Sequence, residues 1–374
     1  MKYFDNAATT KVLPAVKSVI TQALEMYGNP SATNYNIGLE NRVLLEKVRQ
    51  HILEYIGADK DDYLIFTSSA SEANTQILNS FPFYLTSQIE HKSMYLGNKY
   101  GTVGMDDNGE IDLEDLEYAI HCTNCKLVSI QGCNNELGNV QPIKDISNII
   151  HKYNGIYHCD ATQLVPYVRI NVKKLGIDAM TFSGHKIGCP KGIGCLYISK
   201  KLIGYIKPLI NGSQENGLRG GTENLPYILG LNEAINNLEE NIDANRSYMF
   251  DCYRYTTNKL RDIADVEIHN EDMITTGAVV SVGFKDVSAD ILVAELNERG
   301  FAVSSGSACN TNSIEPSYVL ESIGVDKDYI YNTIRISFSV DTDIKDMDEL
   351  VDNIKEIVEC NRRFKQLLKE EQNI

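Results

Sequence analysis

Apolar, strand-like runs that each end in a small polar turn recur along this chain, and they constrain its fold more than any other feature. Tyr63-Leu-Ile-Phe-Thr67 runs into Ser68-Ser-Ala-Ser71, and Lys126-Leu-Val-Ser-Ile130 into Gly132-Cys-Asn-Asn-Glu-Leu-Gly138. Gly155-Ile-Tyr-His-Cys159 runs into Asp160-Ala-Thr-Gln163, and Asp178-Ala-Met-Thr-Phe182 into Ser183-Gly-His-Lys186. A glycine-rich turn, Pro190-Lys-Gly-Ile-Gly194, then leads to a further strand, Cys195-Leu-Tyr-Ile-Ser199. Helical spacing fills intervals between them, as over residues 143–153. Strands that alternate with helices predict an α/β fold around a mainly parallel sheet with helices on its faces. Loops that follow parallel strands open on one edge, so Asn135, Asp160, Gln163, His185 and Lys186 can converge on one crevice.

Helical spacing also predicts helices over residues 14–27, 39–56 and 226–262. After residue 262 the pattern changes to short strands at 266–269, 278–284 and 301–303 around a helix at 289–299, a smaller α+β unit. A last helix, 346–368, carries Met347, Leu350, Val351, Ile354, Ile357 and Val358 on one face. With 374 residues, two domains are expected, one of them large.

The formal net charge of −16, from 35 basic and 51 acidic residues, argues against a nucleic-acid partner, which calls for a basic face. No apolar run approaches the roughly 20 residues that cross a bilayer, and the first residues show no signal-peptide pattern. A cytoplasmic location is therefore expected, with no membrane partner. The nine cysteines are expected to be reduced thiols. Cys122 and Cys125 form a C-x-x-C, but no second ligand pair follows at zinc-site spacing, so no metal is expected there.

Five positions are hard to explain by packing alone. Lys186 stands at a strand tip among glycine and small hydroxyls, where it reads as a Schiff-base lysine or as a solvated loop residue. Ser71 opens a helix after a strand, a geometry that suits a phosphate on free backbone N–H groups but equally a plain N-cap. Asp160 at a strand end can pair with a protonated heterocyclic nitrogen and make that ring an electron sink; it can also cap a following helix. Cys309 lies in Ser304-Ser-Gly-Ser-Ala-Cys-Asn-Thr-Asn-Ser313, where small residues and expected mobility suit a reactive thiol. Arg335, in Ile334-Arg-Ile-Ser-Phe338, can clamp a carboxylate or simply face solvent.

Taken together, the motifs resemble the NifS/IscS-type cysteine desulfurases of the class V aminotransferase family, fold-type I pyridoxal-phosphate enzymes. The resemblance rests on Asp5-Asn-Ala-Ala-Thr-Thr10, Gly28-Asn-Pro30, Glu90-His-Lys92, Asn134-Asn-Glu-Leu-Gly138, Asp160-Ala-Thr-Gln163, Ser183-Gly-His-Lys186, Arg219-Gly-Gly-Thr-Glu-Asn224 and Ser304-Ser-Gly-Ser-Ala-Cys309, in the family's order. It implies a large cofactor domain over residues 11–245, and a small α+β domain of residues 1–10 and 246–374 that carries a mobile Cys309 loop. It also implies pyridoxal 5′-phosphate held covalently by Lys186, with His91 stacked on the ring and moving protons. Asp160 would pair with the ring nitrogen, and Gln163 would contact the ring hydroxyl. Ala70, Ser71, Ser183 and His185 would hold the phosphate, joined by Thr222 from the second subunit of a homodimer. Asn135 would lie against cofactor and substrate, and with Asn29 and Arg335 would bind the carboxylate of L-cysteine. Cys309 would take the sulfur as a persulfide and pass it to an acceptor or scaffold protein for iron–sulfur cluster assembly or thiolation, with Cys309 at most a transient cluster ligand and no resident metal.

The chain departs from the family pattern in three places. Ser71 stands for the usual threonine, and Gly188-Cys189 stands for an aromatic-glycine pair, which puts a second thiol close to the expected cofactor. The stretch from Asn74 to Asp112 is shortened. A selenocysteine lyase or another class V aminotransferase-type enzyme is the alternative, since it needs the same cofactor residues but not Cys309.

Overall fold

The computed structural model describes residues 1–94, 101–305 and 316–372. Among these, seven strands form one sheet in the order β2-β8-β7-β6-β5-β3-β4: β2 (Tyr63–Thr67), β3 (Tyr84–Ser87), β4 (Gly101–Val103), β5 (Leu127–Ser129), β6 (Ile156–Asp160), β7 (Ala179–Ser183) and β8 (Gly194–Ile198). β3 to β7 pair in parallel, and β8 lies antiparallel between β7 and β2. Every residue of β5, β6, β7 and β8 is buried, as expected of strands covered on both faces.

The helices that cover the sheet include α1 (Pro14–Ala23), α2 (Asn36–Tyr55), α3 (Ala70–Asn79), α4 (Leu113–Thr123), α5 (Ile143–Lys152) and the single turn α6 (Val172–Leu175). The first helix stops earlier than its spacing predicts. Leu24 and Tyr27 are largely exposed, and in the predicted last turn only Met26 packs against the core.

The 36-residue α7 (Leu225–Leu260) joins two apolar cores. Its first half places Leu225, Ile228, Leu231, Ile235 and Leu238 in the core around the large sheet. Its second half places Met249, Cys252, Tyr253 and Leu260 in a second core with Phe4, Val280, Ile334 and Phe338. That second core holds a four-stranded antiparallel sheet, β12-β13-β10-β9, from β9 (Val266–Ile268), β10 (Val279–Phe284), β12 (Ser304–Ser305) and β13 (Thr333–Ser337). β1 (Lys2–Tyr3) pairs in parallel with β11 (Phe301–Ala302), which ties the N-terminal residues to the same side. α8 (Ala289–Glu298), α9 (Tyr318–Ser322), α10 (Lys327–Ile330) and the long α11 (Ile344–Gln372) complete the chain. No helix among the described residues is long and apolar enough to cross a membrane.

Candidate active site

Because β2, β3, β5, β6 and β7 run in one direction, the segments after them meet at one edge of the sheet. There they line a cavity of about 400 Å³. Its walls include Ser69, Ala70 and Ser71 after β2, His91 after β3, Gln131, Cys133, Asn135 and Glu136 after β5, Asp160, Thr162 and Gln163 at the end of β6, and Ser183, His185 and Lys186 after β7. Asp5, Ala7, Ala8 and Arg335 close it from the side of the second core. Most of the residues singled out in the sequence therefore come together. Asn29 and Thr222 do not: both are exposed and outside this cavity, and the Asn29 carboxamide accepts the Ser31 N–H at 2.9 Å. Cys309 lies outside the described residues, as do positions 95–100 within the shortened stretch.

One end of the cavity is the N-terminus of α3. Of the two readings of Ser71, the plain N-cap does not hold. Ser69 is the N-cap, its hydroxyl accepting the Glu72 N–H at 3.2 Å, while Ser71 sits inside the first turn. Glu72 reaches back to the Ser68 N–H at 2.7 Å, completing a reciprocal cap. A carboxylate at this position would repel an anion, but Arg219 pairs with it at 2.8 Å and offsets the charge. The helix start can lie this close to the sheet only because β8 opens with glycine. A Cβ on Gly194 would fall 2.6 Å from the Ser69 carbonyl carbon.

The other end is built on Asp160. It is 4% exposed, and its two oxygens accept the Asn74 amide at 2.7 Å and the Thr162 N–H at 3.0 Å. A turn rather than a helix comes next, so Asp160 is not a helix cap. Asn74 was missed in the sequence; its signal was a polar residue on the apolar face of α3 that carries Ala73, Ile77 and Leu78. Lys186 donates to the Ala7 carbonyl and, at 2.8 Å, to that of Ala8, which holds its amine at the cavity wall. Gln163 donates to the Ala7 carbonyl at 2.9 Å. Arg335 is held by Asp5 at 2.7 Å and by the Asn135 carbonyl at 2.9 Å, which leaves its Nε buried with no hydrogen-bond partner among the described residues.

Burial sets the protonation states around the cavity. It lowers His91, as do nearby Lys186 and Lys92, while Asp160 works the other way. Burial, with Lys186 and Lys191, pulls His185 down to about 4. Glu136 is pushed up to about 7 by burial, against a 2.5 Å hydrogen bond from Ser317, the N-cap of α9. Tyr318 donates to the Glu90 carbonyl at 2.6 Å. The chain just after residues 306–315 is thus fastened to two segments of the cavity wall.

The thiols divide differently from expectation. Cys189 is 1% exposed and packed in the large core, where burial raises it to about 12. It is absent from the cavity lining, and among the described residues the thiol that does line the cavity is Cys133. Burial raises Cys133 as well. Gly188 has φ +83°, and a Cβ there would meet the Leu13 side chain at 2.4 Å. Leu13 thus fills space that a bulky residue at position 188 would claim. Of the C-x-x-C pair, Cys122 is exposed and Cys125 buried; no group of three or more potential metal ligands occurs among the described residues.

Beneath the cavity, His158 is fully buried between Ser129 at 2.6 Å and Thr181 at 2.9 Å. Burial pulls it down to about 4, although Asp160 opposes the shift. A free imidazole titrates near 6.5, so below that pH the unfolded chain binds the extra proton. The stabilising contribution is complete above about pH 6.5 and is lost as pH falls toward the folded value, to an extent of about 3 kcal/mol. His158→Gln is expected to flatten this acid loss; urea unfolding at pH 7 and pH 4.5 measures it.

Comparison with known proteins gives a consistent picture. The family described as aminotransferase class-V matches residues 2–350. A cysteine desulfurase IscS from Dictyoglomus turgidum is 33% identical over 96% of this chain and 94% of its own length. The mitochondrial cysteine desulfurase of Saccharomyces cerevisiae is 33% identical over 98% of this chain and 76% of its own. Among solved structures, a NifS-like protein from Rickettsia africae superposes with a TM-score of 0.89 at 30% identity, covering 96% of this chain and 99% of that one. A protein described as SspA in complex with cysteine gives a TM-score of 0.76 at 30% identity, covering 91% and 99%.

Proposed function

The chain belongs to the aminotransferase class-V family, with the fold of the NifS-like proteins, and we propose that it acts as a pyridoxal 5′-phosphate-dependent cysteine desulfurase. The observation that carries this reading is the convergence in one cavity of an amine, Lys186, a buried carboxylate, Asp160, and a charge-balanced helix N-terminus, α3.

These residues fit the cofactor. The α3 start offers backbone N–H groups for a phosphate, with Ser71, Ser183 and His185 beside it. Thr162 Oγ1 and Arg335 Nε, both in the cavity lining, are buried without a partner among the described residues, as polar groups that await a ligand are. Asp160 would hold the ring nitrogen in its protonated form, and Gln163 would meet the ring hydroxyl. When bound, the cofactor supplies an electron sink for the pair left at the substrate α-carbon.

The other steps belong to the chain. Arg335 and Asn135, which both line the cavity, hold the carboxylate of L-cysteine. The Lys186 amine anchors the cofactor and takes the α-proton. Cys309, as thiolate, gives an electron pair to the substrate sulfur; the S–S bond forms as the C–S bond breaks, and the β-carbon takes a proton while the α-carbon regains the one it lost, which gives alanine. The Cys309 persulfide then passes its sulfur to an acceptor protein, for cluster assembly or thiolation. Residues 11–245 act as the cofactor domain, and residues 1–10 with 246–374 as the domain that carries Cys309. A homodimer in the cytoplasm, with Thr222 reaching the phosphate of the second subunit, fits the exposed position of Thr222.

L-Cysteine given without a keto acid is expected to yield alanine, which an aminotransferase would not produce. Cys309→Ala is expected to lower sulfide release by more than about a hundredfold, since it removes the nucleophile. Cys189→Ala should retain it, because that thiol is packed away from the cavity. Full activity in Cys309→Ala would overturn the assignment.

A further inference from the structure

His91 lines the cavity, and its Nδ1 is only an acceptor. The Ser93 backbone N–H donates to it at 3.2 Å, and the Ser93 hydroxyl lies 2.8 Å away. The direction of that second contact is fixed by the residues behind it. Asn74 is fully buried and points its Nδ2 at two groups, the Asp160 carboxylate at 2.7 Å and the Ser93 hydroxyl at 3.0 Å. A carboxylate that holds no proton can only accept, so the atom facing Asp160 is the amide nitrogen. The second amide hydrogen then goes to Ser93 Oγ. With that oxygen accepting from Asn74, its own hydrogen points to His91 Nδ1.

We infer that Asn74 and Ser93 are positioning residues that lock the His91 imidazole with its proton on Nε2, and that tie this lock to Asp160. The inference rests on the proposed desulfurase reading for its role in the reaction, but not for the tautomer. Donation runs outward from Asn74: Asp160 and Ser93 both accept from it, and His91 Nδ1 accepts from Ser93. Nε2 has no hydrogen-bond partner among the described residues, so the ring offers the cavity a donor. Burial favours the neutral ring, which carries one proton. In this state His91 can give a hydrogen bond or proton at Nε2 and cannot take one there, which leaves the α-proton to Lys186. Nothing in the linear sequence points to this. Asn74 belongs to α3, Ser93 comes after β3, and Asp160 ends β6.

The test is the tautomer itself, read in the cofactor-loaded protein with its histidine rings labelled with ¹⁵N. Long-range ¹H–¹⁵N correlation distinguishes a protonated Nε2 from a protonated Nδ1, and the signals lost in His91→Gln assign the ring. The wild type and Ser93→Thr, which keeps the hydroxyl, are expected to show the proton on Nε2. Ser93→Ala and Asn74→Ala are expected to draw the two ring-nitrogen shifts together as both tautomers become populated. In Ser93→Ala, kcat for alanine formation should fall by about tenfold, the scale of one lost hydrogen bond, with KM for L-cysteine within about twofold. Ser93 is only half-buried, so that variant remains informative if Asn74→Ala does not fold. A proton on Nδ1 in the wild type, or ring shifts unchanged in Ser93→Ala, would overturn the inference. A wild type that shows the Nε2 proton but makes no alanine would overturn the desulfurase reading and leave the lock standing.

Discussion

Lys186→Ala is expected to lower alanine formation from L-cysteine by at least about a thousandfold, because it removes both the covalent anchor and the base at the substrate α-carbon. The variant should still fold. The Lys186 side chain is only partly buried, and the bonds seen for it run to the Ala7 and Ala8 carbonyls. Its unfolding free energy should stay within about 1 kcal/mol of the wild type. Alanine detection paired with urea unfolding separates the two effects. If Lys186 were a solvated loop residue, the alanine rate would not change.

Asp160→Asn is the second large effect. The carboxylate is buried, and its ion-pair partner is the proposed ring nitrogen. Removing one member of a buried pair costs about 3–5 kcal/mol, so the alanine rate should fall by about a hundredfold to a few thousandfold. This variant should also lose stability without cofactor, in contrast to Lys186→Ala. An asparagine at 160 keeps one acceptor for the Thr162 N–H, but it turns an amide N–H toward the Asn74 donor or forces a flip. A loss of about 1–3 kcal/mol is expected in urea unfolding of the cofactor-free protein. An unchanged rate would rule out the ion-pair role.

The alternation of buried strands and helices determined the parallel sheet. Parallel strands have a common edge, and that determined where Asn135, Asp160, Gln163, His185 and Lys186 would meet. Such features are local: they depend on periodicity and on the turn at the end of each strand, and so they are legible along the chain. Motif resemblance added His91, Ala70 and Ser183, which line the same cavity.

The tertiary structure decided the contacts between segments distant in sequence. Which thiol lines the cavity depended on how residues 184–189 turn back into the core, and Cys133 took the place expected for Cys189. Leu13, 175 positions before Gly188, fills the space beside that glycine. Ser69 rather than Ser71 caps α3, because the close approach to Gly194 sets where the helix begins. Arg335 is held by Asp5 from the far end of the chain. The line from Asp160 through Asn74 and Ser93 to His91 joins three segments that share no periodicity. Hydrogen-bond direction depends on which donors and acceptors meet in space, so it is decided only when the sheet and its helices come together.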